Sequence, residues 1–152
     1  MSDIEKLEKA IQFSFSDKNF LDRALTRKAY ALECKQRNES CEDQEIYRVL
    51  GDAVLKAVLV DLLIQSGCCS RQEITERKME MESEEALAKL GRKFSLDLGI
   101  KLGAGEQKQN IERGSKTIAE TLEAVVAAIY LDAGYETVKT VVAKWFDFSS
   151  FK

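Results

Sequence analysis

The segment QEIYRVLGDAVL, residues 44–55, constrains this chain more than any other stretch. Ile46, Val49, Leu50, Ala53 and Val54 recur at the spacing of a packed helix, and the pattern continues through LKAVLVDLLIQSG to a stop signal at Gly67. Yet Gly51-Asp52 lies in the middle of it. An interior glycine costs about 1 kcal/mol relative to alanine and aspartate is a poor helix former, so local propensity does not select this pair. A glycine here lets a second backbone or a ligand approach closely. Glu45, Arg48 and Asp52, spaced by three and four, project from one stripe of the same helix.

The rest of the chain reads as further helices. DIEKLEKAIQF places Ile4, Leu7 and Ile11 on one face, and Ser16 or Asp17 can cap a second helix carrying Phe20, Leu21, Ala24 and Leu25. The polar run CKQRNESCED, residues 34–43, reads as a loop. Ser70 and Glu73 fit a capping box that starts a charged helix through about Met81, and Ser83 can cap the next, with Ala86, Leu87, Leu90 and Phe94 inward. Residues 98–114 form a glycine-bearing loop long enough to have a function. KTIAETLEAVVAAIYL, residues 116–131, is a strongly apolar helix, and Tyr135 to Phe146 closes the chain with Val138, Val141, Val142 and Trp145 on one side. No alternating strand pattern is present, so the expectation is one all-α domain over residues 1–152.

Composition removes several kinds of chemistry. The chain has no histidine, which excludes Ser-His-Asp and Cys-His nucleophiles. Its four cysteines lack paired C-x-x-C spacing, so reduced thiols are expected rather than structural zinc. No run reaches the roughly 18 apolar residues of a membrane span and the N-terminus lacks signal-peptide order, so a cytoplasmic protein without membrane contact is expected. A net charge of −3 gives no general support for nucleic-acid binding. The basic residues nevertheless cluster as Arg71, Arg77 and Lys78, as Arg92, Lys93 and Lys101, and as Lys108, Arg113 and Lys116. Such runs permit a basic groove and equally suit plain solvated faces.

Hydrolysis by this chain would therefore rest on carboxylates, lysine or a metal ion. Glu120 and Glu123, three apart, interrupt the late helix among alanines, leucine and valines much as Asp52 interrupts the earlier one. Buried carboxylates are costly unless paired, hydrogen-bonded or bound to a cation. The spacings Glu45–Arg48 and Arg48–Asp52 are also those of ordinary surface ion pairs. If the two helices cross near these residues, with Ala119, Ala124, Ala127 and Ala128 permitting tight contact, the acids converge on a hard divalent cation such as Mg²⁺. An ion held this way suits phosphodiester hydrolysis.

These residues resemble the ribonuclease III family. QEIYRVLGDAVL is similar to its signature helix N-E-R-L-E-F-L-G-D-A-V-L, and ALTRKAY, ahead of it, is similar to A-L-T-H-R-S. LGAGE (102–106) resembles L-G-x-G-E, and IAETLEAVVAAIYLDAG (118–134) resembles L-A-D-x-x-E-A-L-I-G-A-I-Y-L-D-x-G. The resemblance runs from about Leu7 to Trp145. It implies an all-helical endonuclease domain that cuts double-stranded RNA as a homodimer with Mg²⁺, for which Mn²⁺ can substitute, leaving 5′-phosphate and 3′-hydroxyl ends. Asp52 and Glu123 fall on the catalytic carboxylates, and Asp52, Glu120 and Glu123 on metal-binding positions. Glu45 matches a supporting glutamate, and Lys116 falls where eukaryotic members often carry a lysine.

Three positions depart from the pattern. Arg48 stands where most members have a metal-binding glutamate, and an arginine cannot ligate Mg²⁺. The mini-ribonuclease III relatives also lack that glutamate. Glu120 is one methylene longer than the usual aspartate, and Arg71 lies where many bacterial members carry another acid, with Glu73 near enough in sequence to substitute. The sequence also carries no match to the C-terminal double-stranded-RNA-binding domain of bacterial members, which implies weak, strongly salt-dependent RNA affinity. The alternative implied by Arg48 is a catalytically impaired, dimeric RNA-binding or scaffold subunit.

Overall fold

The computed structural model describes residues 2–149; Met1 and residues 150–152, the ends of the expected 1–152 domain, lie outside the described residues. The helices are α1 (Asp3–Ile11), α2 (Lys18–Ala24), α3 (Lys28–Gln36), α4 (Glu45–Gln65), α5 (Arg71–Glu82), α6 (Glu84–Lys93), α7 (Ala104–Lys108), α8 (Ser115–Ala133) and α9 (Tyr135–Trp145), with short 3₁₀ turns at Leu96–Gly99 and Ile111–Arg113. The all-α expectation holds: among the described residues the only extended pairing is an isolated parallel bridge between Thr26 and Lys101. Among the described residues no helix is long and apolar enough to cross a membrane.

Local signals act where the sequence places them. The Asp17 carboxylate accepts the Asn19 N–H at 2.9 Å to start α2, Ser70 Oγ accepts the Glu73 N–H at 3.1 Å, and Ser83 Oγ accepts that of Ala86 at 3.1 Å. Gly134, at φ +88°, provides the sharp turn between α8 and α9. Two segments differ from the sequence reading. Helix α3 runs through Cys34 to Gln36 inside the expected loop, because Cys34 is buried and gives the segment an anchor that its polar composition hides. The 98–114 loop contains α7, the 3₁₀ turn Ile111–Arg113 and the end of the turn Leu96–Gly99.

Helix α8 is the centre of the core. Ile118, Leu122, Ala124 to Ile129 and their neighbours are buried on nearly every side, so α4, α6, α2 and α9 pack around it. Its small side chains permit close approach, and α4 comes closest at Gly51: a Cβ built there would lie 1.7 Å from the Glu123 carbonyl oxygen. The glycine that helix propensity disfavours is therefore required by the backbone it touches. Gln44, buried just before α4, donates from Nε2 to the Ala24 carbonyl at 2.7 Å and fastens the helix start to α2. Trp145 Nε1 donates to the Ile11 carbonyl at 2.9 Å, joining the last helix to the first.

Candidate active site

The α4–α8 crossing sets the first half of the site. Asp52 follows Gly51 and Glu123 supplies the carbonyl that Gly51 touches, so the two side chains emerge together and their carboxyl groups hydrogen-bond one another. Burial pushes Glu123 up, and the hydrogen bond and negative charge of Asp52 push it further, to about 8. Burial also acts to raise Asp52, but hydrogen bonds from Glu123 and Lys56 outweigh it and hold its carboxyl below the usual range. The pair thus tends to keep one proton between its two carboxyl groups.

Lys56, one turn after Asp52, places Nζ 3.0 Å from Asp52 Oδ1 and 3.2 Å from Glu82 Oε2. Lys78 Nζ lies 3.1 Å from Glu82 Oε1, so α5 is tied to the site through a chain of alternating charge. The acid that α5 brings here is Glu82. Glu73, which the sequence offers as a substitute acid, sits at the other end of α5, where its carboxylate accepts from the Cys68 thiol at 3.5 Å.

Arginines surround the second half. Glu120 is held by the Arg48 guanidinium, and Arg27 NH1 approaches its other oxygen at 3.6 Å. Arg48 NH1 also donates to Glu45 at 3.2 Å, and Arg27 grips Glu106 through Nε at 3.2 Å and NH2 at 2.9 Å. The Thr26–Lys101 pairing positions that grip: the Lys101 N–H donates to the Leu25 carbonyl at 2.8 Å and the Arg27 N–H to the Lys101 carbonyl at 3.1 Å. Lys116, in the first turn of α8, is exposed beside them.

The structure therefore joins Asp52 to Glu123 but does not gather Asp52, Glu120 and Glu123 into one cluster. Among the described residues no group of three or more carboxylates or thiols could hold a metal ion. The reason is electrostatic: two guanidinium groups satisfy Glu120 locally, and an Arg–carboxylate pair is a stronger claim on that oxygen than a distant acid pair. Sequence reasoning assigned no role to Lys56, Glu82, Arg27 or Glu106, although Arg27 and Glu106 fall within the ALTRKAY and LGAGE segments and Lys56 lies four residues from Asp52.

The donor set that remains still suits a hard divalent cation. Asp52 and Glu123 offer only oxygen, burial and their mutual proximity favour a shared proton that a cation can replace, and Mg²⁺ is commonly held by one or two carboxylates with water and substrate phosphate completing its shell. The same pair gives a pH signature. Glu123 rises from an ordinary 4.5 to about 8 on folding, so the folded state binds the extra proton and this contribution to stability is complete below about 4.5 and is lost as pH rises through about 8. The lowered Asp52 acts oppositely and only in acid, where its contribution is lost as pH falls. Thermal denaturation with chelator present should show the melting temperature falling from mildly acidic pH to about 8, and Glu123→Gln should flatten that fall. An equally steep fall in the variant would place the shared proton elsewhere.

The helical fold built around the crossing of α4 and α8 falls in the class of ribonuclease III nuclease domains. Two solved structures of the nuclease domain of ribonuclease III from Campylobacter jejuni match this chain with TM-scores of 0.83 and 0.82 at 28% identity. The first covers 94% of this chain and 95% of that one, and its description concerns flexibility in a region involved in dimer formation. A family model described as ribonuclease-III-like matches residues 17–147. Ribonuclease 3 of Geobacter sulfurreducens is 34% identical over 143 residues, 93% of this chain and 57% of the relative, and that of Vibrio parahaemolyticus is 32% identical over 152 residues, 96% of this chain and 61% of the relative. The chain belongs to the ribonuclease-III-like family, and it spans about six-tenths of the length of these curated relatives.

Proposed function

We propose that residues 1–152 act as one endonuclease unit that hydrolyses phosphodiester bonds of double-stranded RNA with Mg²⁺ or Mn²⁺, leaving 5′-phosphate and 3′-hydroxyl ends. The observation that carries this reading is the proton-sharing pair Asp52–Glu123, fixed by a backbone contact in a member of this family. A divalent cation held by these two residues would supply Lewis-acid activation of water and neutralise phosphate charge. Glu123 would release the shared proton to make room for such a cation. Lys56 keeps Asp52 ionised and oriented, and Glu82 with Lys78 fixes Lys56 in turn. Glu45 supports Arg48 rather than the acid pair.

The basic clusters support a nucleic-acid face. Arg92 NH2 donates to the Arg113 carbonyl at 3.2 Å and to Ser115 Oγ at 2.9 Å, which joins two of the clusters at the start of α8 near Lys116. The four free cysteines suit a reducing, cytoplasmic setting. Incubating the protein with duplex RNA, single-stranded RNA and duplex DNA of one sequence should give Mg²⁺-dependent cleavage of the duplex RNA alone. Binding without cleavage would favour the scaffold alternative, for which the commitment of Glu120 to Arg48 speaks.

The partner we propose for the α4 surface is a second copy of the chain. Val49 is 75% exposed and Ile46 62%, and with exposed Ala53, Ala57 and Ile64 they form an apolar stripe along α4. Tyr47 of the same helix is buried beneath Arg23, whose guanidinium lies 4.8 Å from its ring centre, and does not belong to the stripe. Val49→Glu should convert a dimer into a folded monomer in analytical ultracentrifugation. An unchanged sedimentation coefficient would remove α4 from the interface.

A further inference from the structure

Beside the acid pair lies a second feature of opposite sign. A hollow of about 510 Å³ opens between α4, the start of α8 and the segment before it, and its charged lining consists of Arg27, Arg48, Lys116 and Glu120. Three cations against one carboxylate face this hollow on a chain whose net charge is −3. Glu45 and Glu106 hold the two guanidinium groups from behind without lining it. Each guanidinium has five N–H donors, and those engaged by Glu45, Glu106 and Glu120 leave donors on both. The guanidinium groups are also largely withdrawn from water, Arg27 at 18% and Arg48 at 29% side-chain exposure, so an anion reaching them meets charge that is poorly screened. No ion pair engages the Lys116 ammonium among the described residues.

We propose that the Arg27–Arg48–Lys116 hollow is an oxyanion pocket that seats a backbone phosphate flanking the one cut at Asp52–Glu123. Planar forks paired with a mobile ammonium match the tetrahedral oxygens of a phosphodiester. Arg48 precedes Asp52 by four residues and Glu120 precedes Glu123 by three, so at about 1.5 Å per residue the hollow is displaced by about one turn along both helices from the acid pair. That displacement places it beside the cleavage position and distinct from it. Glu120 acts there as an internal anion that fills the guanidinium groups until phosphate arrives. The assignment to RNA rests on the nuclease reading; the anion pocket itself does not.

Two variants of opposite sign test it. Amide chemical shifts of Thr117 and Ile118, followed in the full chain with chelator present, should saturate on titration with inorganic phosphate. Arg48→Gln should weaken that binding by about tenfold, and Glu120→Gln should strengthen it by a similar factor, because one removes a donor and the other the competing carboxylate. A shared loss of fold cannot produce opposite signs. Absence of saturable shifts, or weakening by both variants, overturns the pocket. In a second arm, uncleaved duplex RNA is bound in chelator across a salt series, where Arg27→Gln should reduce the slope of log affinity against log salt by about 0.9. Phosphate binding with an unchanged RNA slope overturns the RNA assignment. Phosphate binding and a reduced slope without any cleavage in Mg²⁺ leave the pocket standing and refute the nuclease reading instead.

Discussion

Gly51→Ala should destabilise the fold by at least about 3 kcal/mol, although alanine is the better helix former by about 1 kcal/mol. The added Cβ would stand 1.7 Å from the Glu123 carbonyl oxygen, 2.5 Å from its carbonyl carbon and 3.3 Å from the Ala127 nitrogen. All three are backbone atoms of the most buried helix, so no rotamer change relieves the clash and α4 has to move away from α8. Ala53→Gly, at an exposed position two residues along, provides the contrast: it should cost only about 1 kcal/mol of helix propensity. Urea denaturation of both variants measures the two costs. A Gly51→Ala protein as stable as its parent would show that the helices do not meet where the structure puts them.

Asp52→Asn and Glu123→Gln should each lower the rate of duplex-RNA cleavage by about a thousandfold or more. Both substitutions keep size and hydrogen bonding while removing the charge that a divalent cation needs, and a thousandfold corresponds to about 4 kcal/mol of barrier. Because the two carboxylates act as one unit, the double variant should be scarcely worse than either alone. Folding is not expected to suffer. Glu123→Gln in particular preserves a donor to Asp52. Single-turnover cleavage gives the rates. Losses of only a few-fold in both variants would exclude the pair from the chemistry.

The sequence was most legible where a local rule is broken. Gly51-Asp52 inside an apolar helix and Glu123 inside an alanine-rich one pointed to a crossing, because only a tertiary contact repays a glycine and a buried acid at those places. Helix α3 was less visible, since its polar run hides a single buried cysteine. The fate of Glu120 was not legible at all. It depends on Arg48 and Arg27, 72 and 93 positions earlier in the chain, and on the Thr26–Lys101 pairing that aims Arg27 at Glu106. No helical periodicity encodes such a contact. Similarly, periodicity marked α4 as apolar without telling which apolar residues face inward, and Tyr47 and Val49 proved to lie on opposite sides of that division.

The measurement that bears most directly on the site is calorimetric titration of the metal-free protein with Mn²⁺ at neutral pH in two buffers of different ionisation enthalpy. Occupation of the acid pair by a cation predicts saturable binding that releases about one proton per ion, and Asp52→Asn should abolish it. Binding that survives in Asp52→Asn, or that releases no proton, would contradict a cation site at Asp52 and Glu123.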